Sequence, residues 1–109
     1  MTFDELLDFI AREDARLRKR FPKQDEARRT LSRAVKLSEE VGELSNEVLL
    51  SLSDQRSEKL ANFDSKNVGK EVADVLITTM MLARSLGVDV PQALAGKIEI
   101  IDQRYQNPT

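Results

Sequence analysis

Between Leu31 and Leu49, apolar side chains fall at Leu31, Ala34, Leu37, Val41, Leu44, Val48 and Leu49. This is the three- and four-residue spacing of an amphipathic helix, and strand alternation cannot produce it. A second run, Val68, Val72, Val75, Thr79, Leu82 and Leu86, has the same period. Aromatic residues make up only 5% of the chain and charged residues 33%, and strands draw on the β-branched and aromatic types that are scarce here. The chain therefore reads as all-α. Its 109 residues suffice for one domain spanning 1–109 with one core.

Local signals divide the domain into four helices. Thr2 followed by Glu5 opens the first, which carries Phe3, Leu6, Leu7, Ile10 and Leu17 and runs from about residue 3 to 20 before Phe21-Pro22 breaks it. The second begins between Asp25 and Arg29 and continues to about Leu52. Residues 53–66 hold only Leu60 and Phe63 as apolar anchors and read as a loop, long enough to serve a ligand. The third helix spans about Asn67 to Leu86, with Gly87 as its stop. The fourth starts at Val90-Pro91, carries Leu94, Ile98, Ile101 and Tyr105, and is ended by Asn107-Pro108-Thr109. The expected architecture is a four-helix antiparallel bundle-like domain. Its core is small, so it is expected to oligomerise through helix faces, with Ile77, Met80 and Met81, off the main stripe of the third helix, on a second face buried in that way.

Composition narrows the chemistry. There is no cysteine or histidine, which removes thiol nucleophiles, disulfides and the nitrogen and sulfur ligands of zinc and di-iron sites. Any catalysis must use carboxylates, amines, hydroxyls or guanidinium groups. A net charge of -2 gives no general attraction for nucleic acid or anionic membrane. The first residues carry acids where a signal peptide would carry positive charge, and no apolar run is long enough to span a bilayer, so a cytoplasmic protein is expected.

The acids have a pattern. Leu37-x-x-Glu40-Val41-Gly42-Glu43-Leu44 and Val68-x-x-Glu71-Val72-Ala73-Asp74-Val75 match position for position. At about 100° per residue, Glu40, Glu43 and Glu47 lie roughly 60° to 130° to one side of the apolar stripe, and Glu71, Asp74 and Thr78 occupy the equivalent flank of the third helix. Glu39 points further toward solvent. Acids three residues apart can share one cation, and a set of hard oxygen ligands suits Mg²⁺ or Mn²⁺. Glu40, Glu43, Glu71 and Asp74 are therefore either solvated helix-surface acids, the usual fate of glutamates, or a metal site assembled between two helices. The small residues Gly42 and Ala73 beside them would allow close backbone approach.

These segments resemble the MazG-like all-α nucleotide pyrophosphohydrolases, whose signature is EExxE, a spacer and ExxD. Glu39-Glu40-Val41-Gly42-Glu43 matches the first part and Glu71-Val72-Ala73-Asp74 the second, with 27 residues between them. The likeness extends to Gly87-Val88-Asp89-Val90, Lys97 and Arg104-Tyr105, and covers roughly residues 30 to 105. It implies that Glu40, Glu43, Glu71 and Asp74 coordinate Mg²⁺. It also implies attack of water on the α-phosphorus of a nucleoside triphosphate, giving the monophosphate and pyrophosphate. Lys97 and Arg104 would bind the phosphates, with Lys36, one turn before Glu40, as a further candidate. The partner expected besides the nucleotide is the chain itself, as homodimer or homotetramer. Two departures bear on specificity. Many relatives carry asparagine shortly after the lysine, where Ile100 and Ile101 stand here, and the tryptophan or histidine near the end of the first helix in cytosine- and uracil-preferring relatives is missing. Phe21 and Phe63 are the available stacking groups, and the base stays open.

A different class of reading is a non-catalytic helical adaptor that oligomerises, binds nucleotides, or contacts nucleic acid through Arg12, Arg16, Arg18, Lys19, Arg20, Arg28, Arg29 and Arg33. Glu13, Asp14, Asp25 and Glu26 are interleaved with these groups, which favours an ion-paired surface instead.

Overall fold

The computed structural model describes residues 1–52 and 65–106. They form four helices: α1 (Phe3–Arg20), α2 (Glu26–Leu52), α3 (Ser65–Ser85) and α4 (Val90–Gln106). The expected ligand loop lies outside the described residues apart from Ser65 and Lys66, which already belong to α3. Phe63 and Asn107-Pro108-Thr109 also lie outside.

Side chains at the helix ends account for the boundaries. The Thr2 hydroxyl accepts from the Glu5 amide at 3.1 Å, and Asp25 and Asp89 do the same for Arg28 and Gln92 at 2.8 and 3.1 Å. After α3, Gly87 adopts φ 69, while Val88 N–H donates to Ala83 O at 2.9 Å and Gly87 N–H to Arg84 O at 3.2 Å. This is the Schellman arrangement, and its left-handed position favours glycine.

α2 and α3 pack along each other. Arg33 meets Met81 and Ser85, while Glu40 and Glu43, further along α2, meet the earlier Glu71, so the pair is antiparallel. α1 docks on α3 through Ile10, Met80 and Met81, the buried apolar residues among those described, with Leu6, Leu7, Leu17 and Ile77 around them. Met80 and Met81 are therefore inside this chain, against α1, and Ile77 packs on them; the face they form is covered within the protomer, contrary to the expectation that another copy buries it.

Only part of each expected stripe is covered: Ala34, Leu37 and Leu44 on α2 and Val68, Val75 and Leu82 on α3 are half-buried, and the other stripe residues are exposed. On α2 the buried positions are Arg29, Arg33 and Glu40, while Leu31 is 66% exposed and Leu49 65%. On α3, Val72, Leu76 and Leu86 are exposed. The α2/α3 seam is thus displaced from the centre of each apolar stripe toward the acids. Every residue of α4 from 91 to 106 is exposed, including Leu94, Ile98, Ile101 and Tyr105. The radius of gyration is 17.7 Å, whereas a compact chain of about 100 residues has about 13 Å.

Candidate metal centre

Displacement of the seam brings the acids together. One carboxylate oxygen from each of Glu40, Glu43 and Glu71 lies within 4.8 Å of the others. Glu40 is 6% exposed, Glu71 is half-buried and Glu43 is exposed at the rim. Ionised carboxylates at this separation repel one another. Burial pushes the Glu71 carboxyl above its ordinary range, and the charges of Glu43, Asp74 and Glu40 push it further the same way. Asp74 is exposed and stands outside the three-oxygen cluster, near enough for its charge to act on Glu71.

Two oxygens lack partners. Glu40 Oε2 and Glu71 Oε2 are buried and accept no hydrogen bond, whereas buried polar atoms are almost always satisfied. Unsatisfied carboxylate oxygens on facing helices, in a chain with no histidine or cysteine to add nitrogen or sulfur ligands, fit a hard divalent cation.

Lys36 is the cation already present. Its Nζ lies 3.1 Å from Glu40 Oε1 and 3.8 Å from Glu39 Oε2, and the hydrogen bond to Glu40 raises its proton affinity. Glu39 is exposed and points out of the cluster, as the helical wheel implies; Glu47 is half-buried one turn beyond. Lys97 and Arg104 sit exposed on α4 and make no ion pair among the described residues. The expected tight backbone approach at Gly42 does not occur, since a Cβ there would meet nothing within 4 Å.

A second charged group went unread in the sequence. Asp14, 5% exposed, accepts from Arg33 at 2.7 Å and from Arg18 and Arg84 at 3.0 Å each, so one carboxylate joins α1, α2 and α3. Arg18 also forms a bidentate pair with Glu26, which accepts from Arg29 as well. Arg16 pairs with Glu13, and Arg12 and Arg16 lie over the Phe9 ring. Much of the basic surface proposed for an adaptor is therefore engaged within the chain. The available signal was the spacing of Arg29, Arg33, Glu40 and Glu47, which places them on one line of α2.

These features define a helical protein with a carboxylate cluster between two antiparallel helices. The chain belongs to the MazG-like family, whose match spans residues 32–108 and so takes in both acidic segments. Membership points to nucleotide pyrophosphohydrolase-type chemistry. No curated protein and no solved structure matches the chain. Among the described residues, no helix is long and apolar enough to cross a membrane.

Proposed function

We propose that Glu40, Glu43, Glu71 and Asp74 hold Mg²⁺, with Mn²⁺ as a substitute, and that the protein hydrolyses a nucleoside triphosphate to its monophosphate and pyrophosphate, clearing non-canonical or excess nucleotides. The observation that carries this reading is the pair of orphaned buried oxygens, Glu40 Oε2 and Glu71 Oε2. A bound cation supplies polarisation of a phosphoryl oxygen and a lowered pKa for the attacking water. The chain contributes the rest. Glu40 and Glu71 provide rigid ligands from the seam, while Glu43 and Asp74 on the exposed side leave room for substrate. Lys36 exchanges its contact with Glu40 for phosphate oxygens, and Lys97 and Arg104 add donors from α4.

Purified protein incubated with Mg²⁺ and each common or deaminated nucleoside triphosphate should release pyrophosphate from at least one. Absence of release from all of them rejects hydrolysis. Glu43→Gln and Asp74→Asn should each abolish release while leaving the helical circular-dichroism signal intact; full activity in both would remove the metal assignment.

The same reading includes a homodimer or homotetramer. Leu76 is 57% exposed and Ile98 55%, and Leu31, Leu49 and Leu94 are exposed as well, so α2, α3 and α4 each present apolar side chains that a second copy would cover. An Ile98→Glu variant should shift the light-scattering mass toward the monomer, and an unchanged mass would exclude α4 from the interface.

A further inference from the structure

A cavity of about 300 Å³ opens between the end of α1 and the first half of α2. Leu17 and Phe21 form its apolar wall, and Gln24, Arg29, Ser32, Arg33 and Lys36 its polar wall, with the Gln24 side-chain amide donating to Ser32 Oγ at 3.4 Å. Arg29 and Arg33 are 5% and 7% exposed and rigidly held. Arg29 donates to Glu26 at 2.7 Å and to Phe21 O at 3.1 Å; Arg33 donates to Asp14, to Ser85 Oγ at 2.6 Å and to Met81 O at 3.2 Å. A guanidinium carries five N–H donors and no acceptor, so each retains at least two uncommitted donors. Glu26 and Asp14 are not among the lining residues, which include no carboxylate.

The cavity adjoins the acidic cluster, because Lys36 lines it and touches Glu40 at 3.1 Å. From Arg29 to Glu40, α2 rises roughly 16 Å. Phosphates belong at the metal-binding end, and an apolar wall with a few fixed polar groups is the usual setting for the flat, uncharged part of a ligand. Resting on the hydrolase reading above, we propose that this cavity takes the nucleobase and that Arg29 and Arg33 select bases that present carbonyl oxygens, such as uracil, hypoxanthine and xanthine, over the amino-bearing cytosine and adenine. A carbonyl oxygen at that edge accepts from a guanidinium, whereas an exocyclic amine sets donor against donor and leaves both unpaired. The Phe21 ring, half-exposed at the mouth, offers a stacking face.

Binding of deoxynucleoside monophosphates to the wild-type protein without metal, followed by calorimetry, tests this independently of turnover. dUMP should bind at least about tenfold more tightly than dCMP, and dIMP than dAMP, as expected for a charge-assisted hydrogen bond gained against a donor–donor contact. Affinities equal within about twofold in both pairs, a preference for the amino bases, or no binding at millimolar concentration would each overturn it. Arg29→Met keeps the aliphatic stem, leaves Arg33 in place and should reduce the preference; a preference that survives undiminished in a folded variant assigns no selectivity to Arg29 and also overturns it. The two readings fail separately. Protein that discriminates the monophosphates but releases no pyrophosphate defeats hydrolysis alone, and an active enzyme that turns over dUTP and dCTP equally defeats the base selection alone.

Discussion

Glu71→Gln is expected to remove metal-dependent pyrophosphate release and, in metal-free buffer at neutral pH, to raise the melting temperature. Both effects follow from one cluster. Glu71 supplies a buried oxygen that no hydrogen bond satisfies and stands within 4.8 Å of two other carboxylates. Loss of an outer partner of a metal ligand costs about 10- to 100-fold, so loss of a direct ligand should exceed about 100-fold in activity. Without metal the same charge is a liability, because burial and its acidic neighbours already push its carboxyl upward. A neutral amide of the same shape relieves that repulsion. A residue kept only for stability would lower both readings when replaced, and a solvated surface acid would move neither. Mg²⁺ should correspondingly raise the melting temperature of the wild type and leave that of Glu71→Gln nearly unchanged, since a ligand stabilises only the state that binds it.

The helix boundaries were legible because capping and stop signals are local: Thr2, Pro22 and Gly87 act within a few residues, and α1 runs from Phe3 to Arg20 as its pattern implies. The acidic grouping of Glu40, Glu43 and Glu71 was legible from the doubled spacing. The depth of Glu40 was not. A helical wheel centred on apolar residues assumes that the apolar stripe faces the partner helix of the same chain, and here the seam is displaced toward the acids while Val72 and Leu76 remain exposed. Periodicity reports that a face is apolar and is silent about which neighbour covers it. For the same reason Met80 and Met81, off the main stripe, turned out to be the core beneath α1. Arg29 and Arg33 were read as part of a solvated basic run because charged residues are rarely buried, and only a long-range partner such as Asp14 makes their burial tolerable.

That partner should dominate the stability of the chain. Asp14→Ala is expected to destabilise the fold by about 3–5 kcal/mol, because it strands the Arg33 guanidinium in the interior without its counter-charge. Small domains have only about 5–15 kcal/mol in total, and each kcal/mol shifts the melting temperature of a chain this size by about 4–8 °C, so the fall should be of order 20 °C. The wild type should show the same dependence on pH. Burial opposes ionisation of Asp14, but hydrogen bonds from Arg33, Arg18 and Arg84 outweigh it and bring the carboxyl down from 3.8 to about 2. A folded-state pKa below the unfolded value gives stability that is complete above about pH 4 and is lost as pH falls toward 2, a contribution of order 2 kcal/mol. Thermal melts at pH 5 and at pH 2.5 should therefore differ more in the wild type than in Asp14→Ala, where this group no longer titrates. If the cost lies in the stranded charge and not in lost packing, the double variant Asp14→Leu, Arg33→Met should be more stable than Asp14→Ala alone, since apolar residues of similar volume often replace a buried ion pair with little loss. A double variant as unstable as Asp14→Ala would instead place the stability in the hydrogen bonds that Arg33 makes to Ser85 and Met81 on α3.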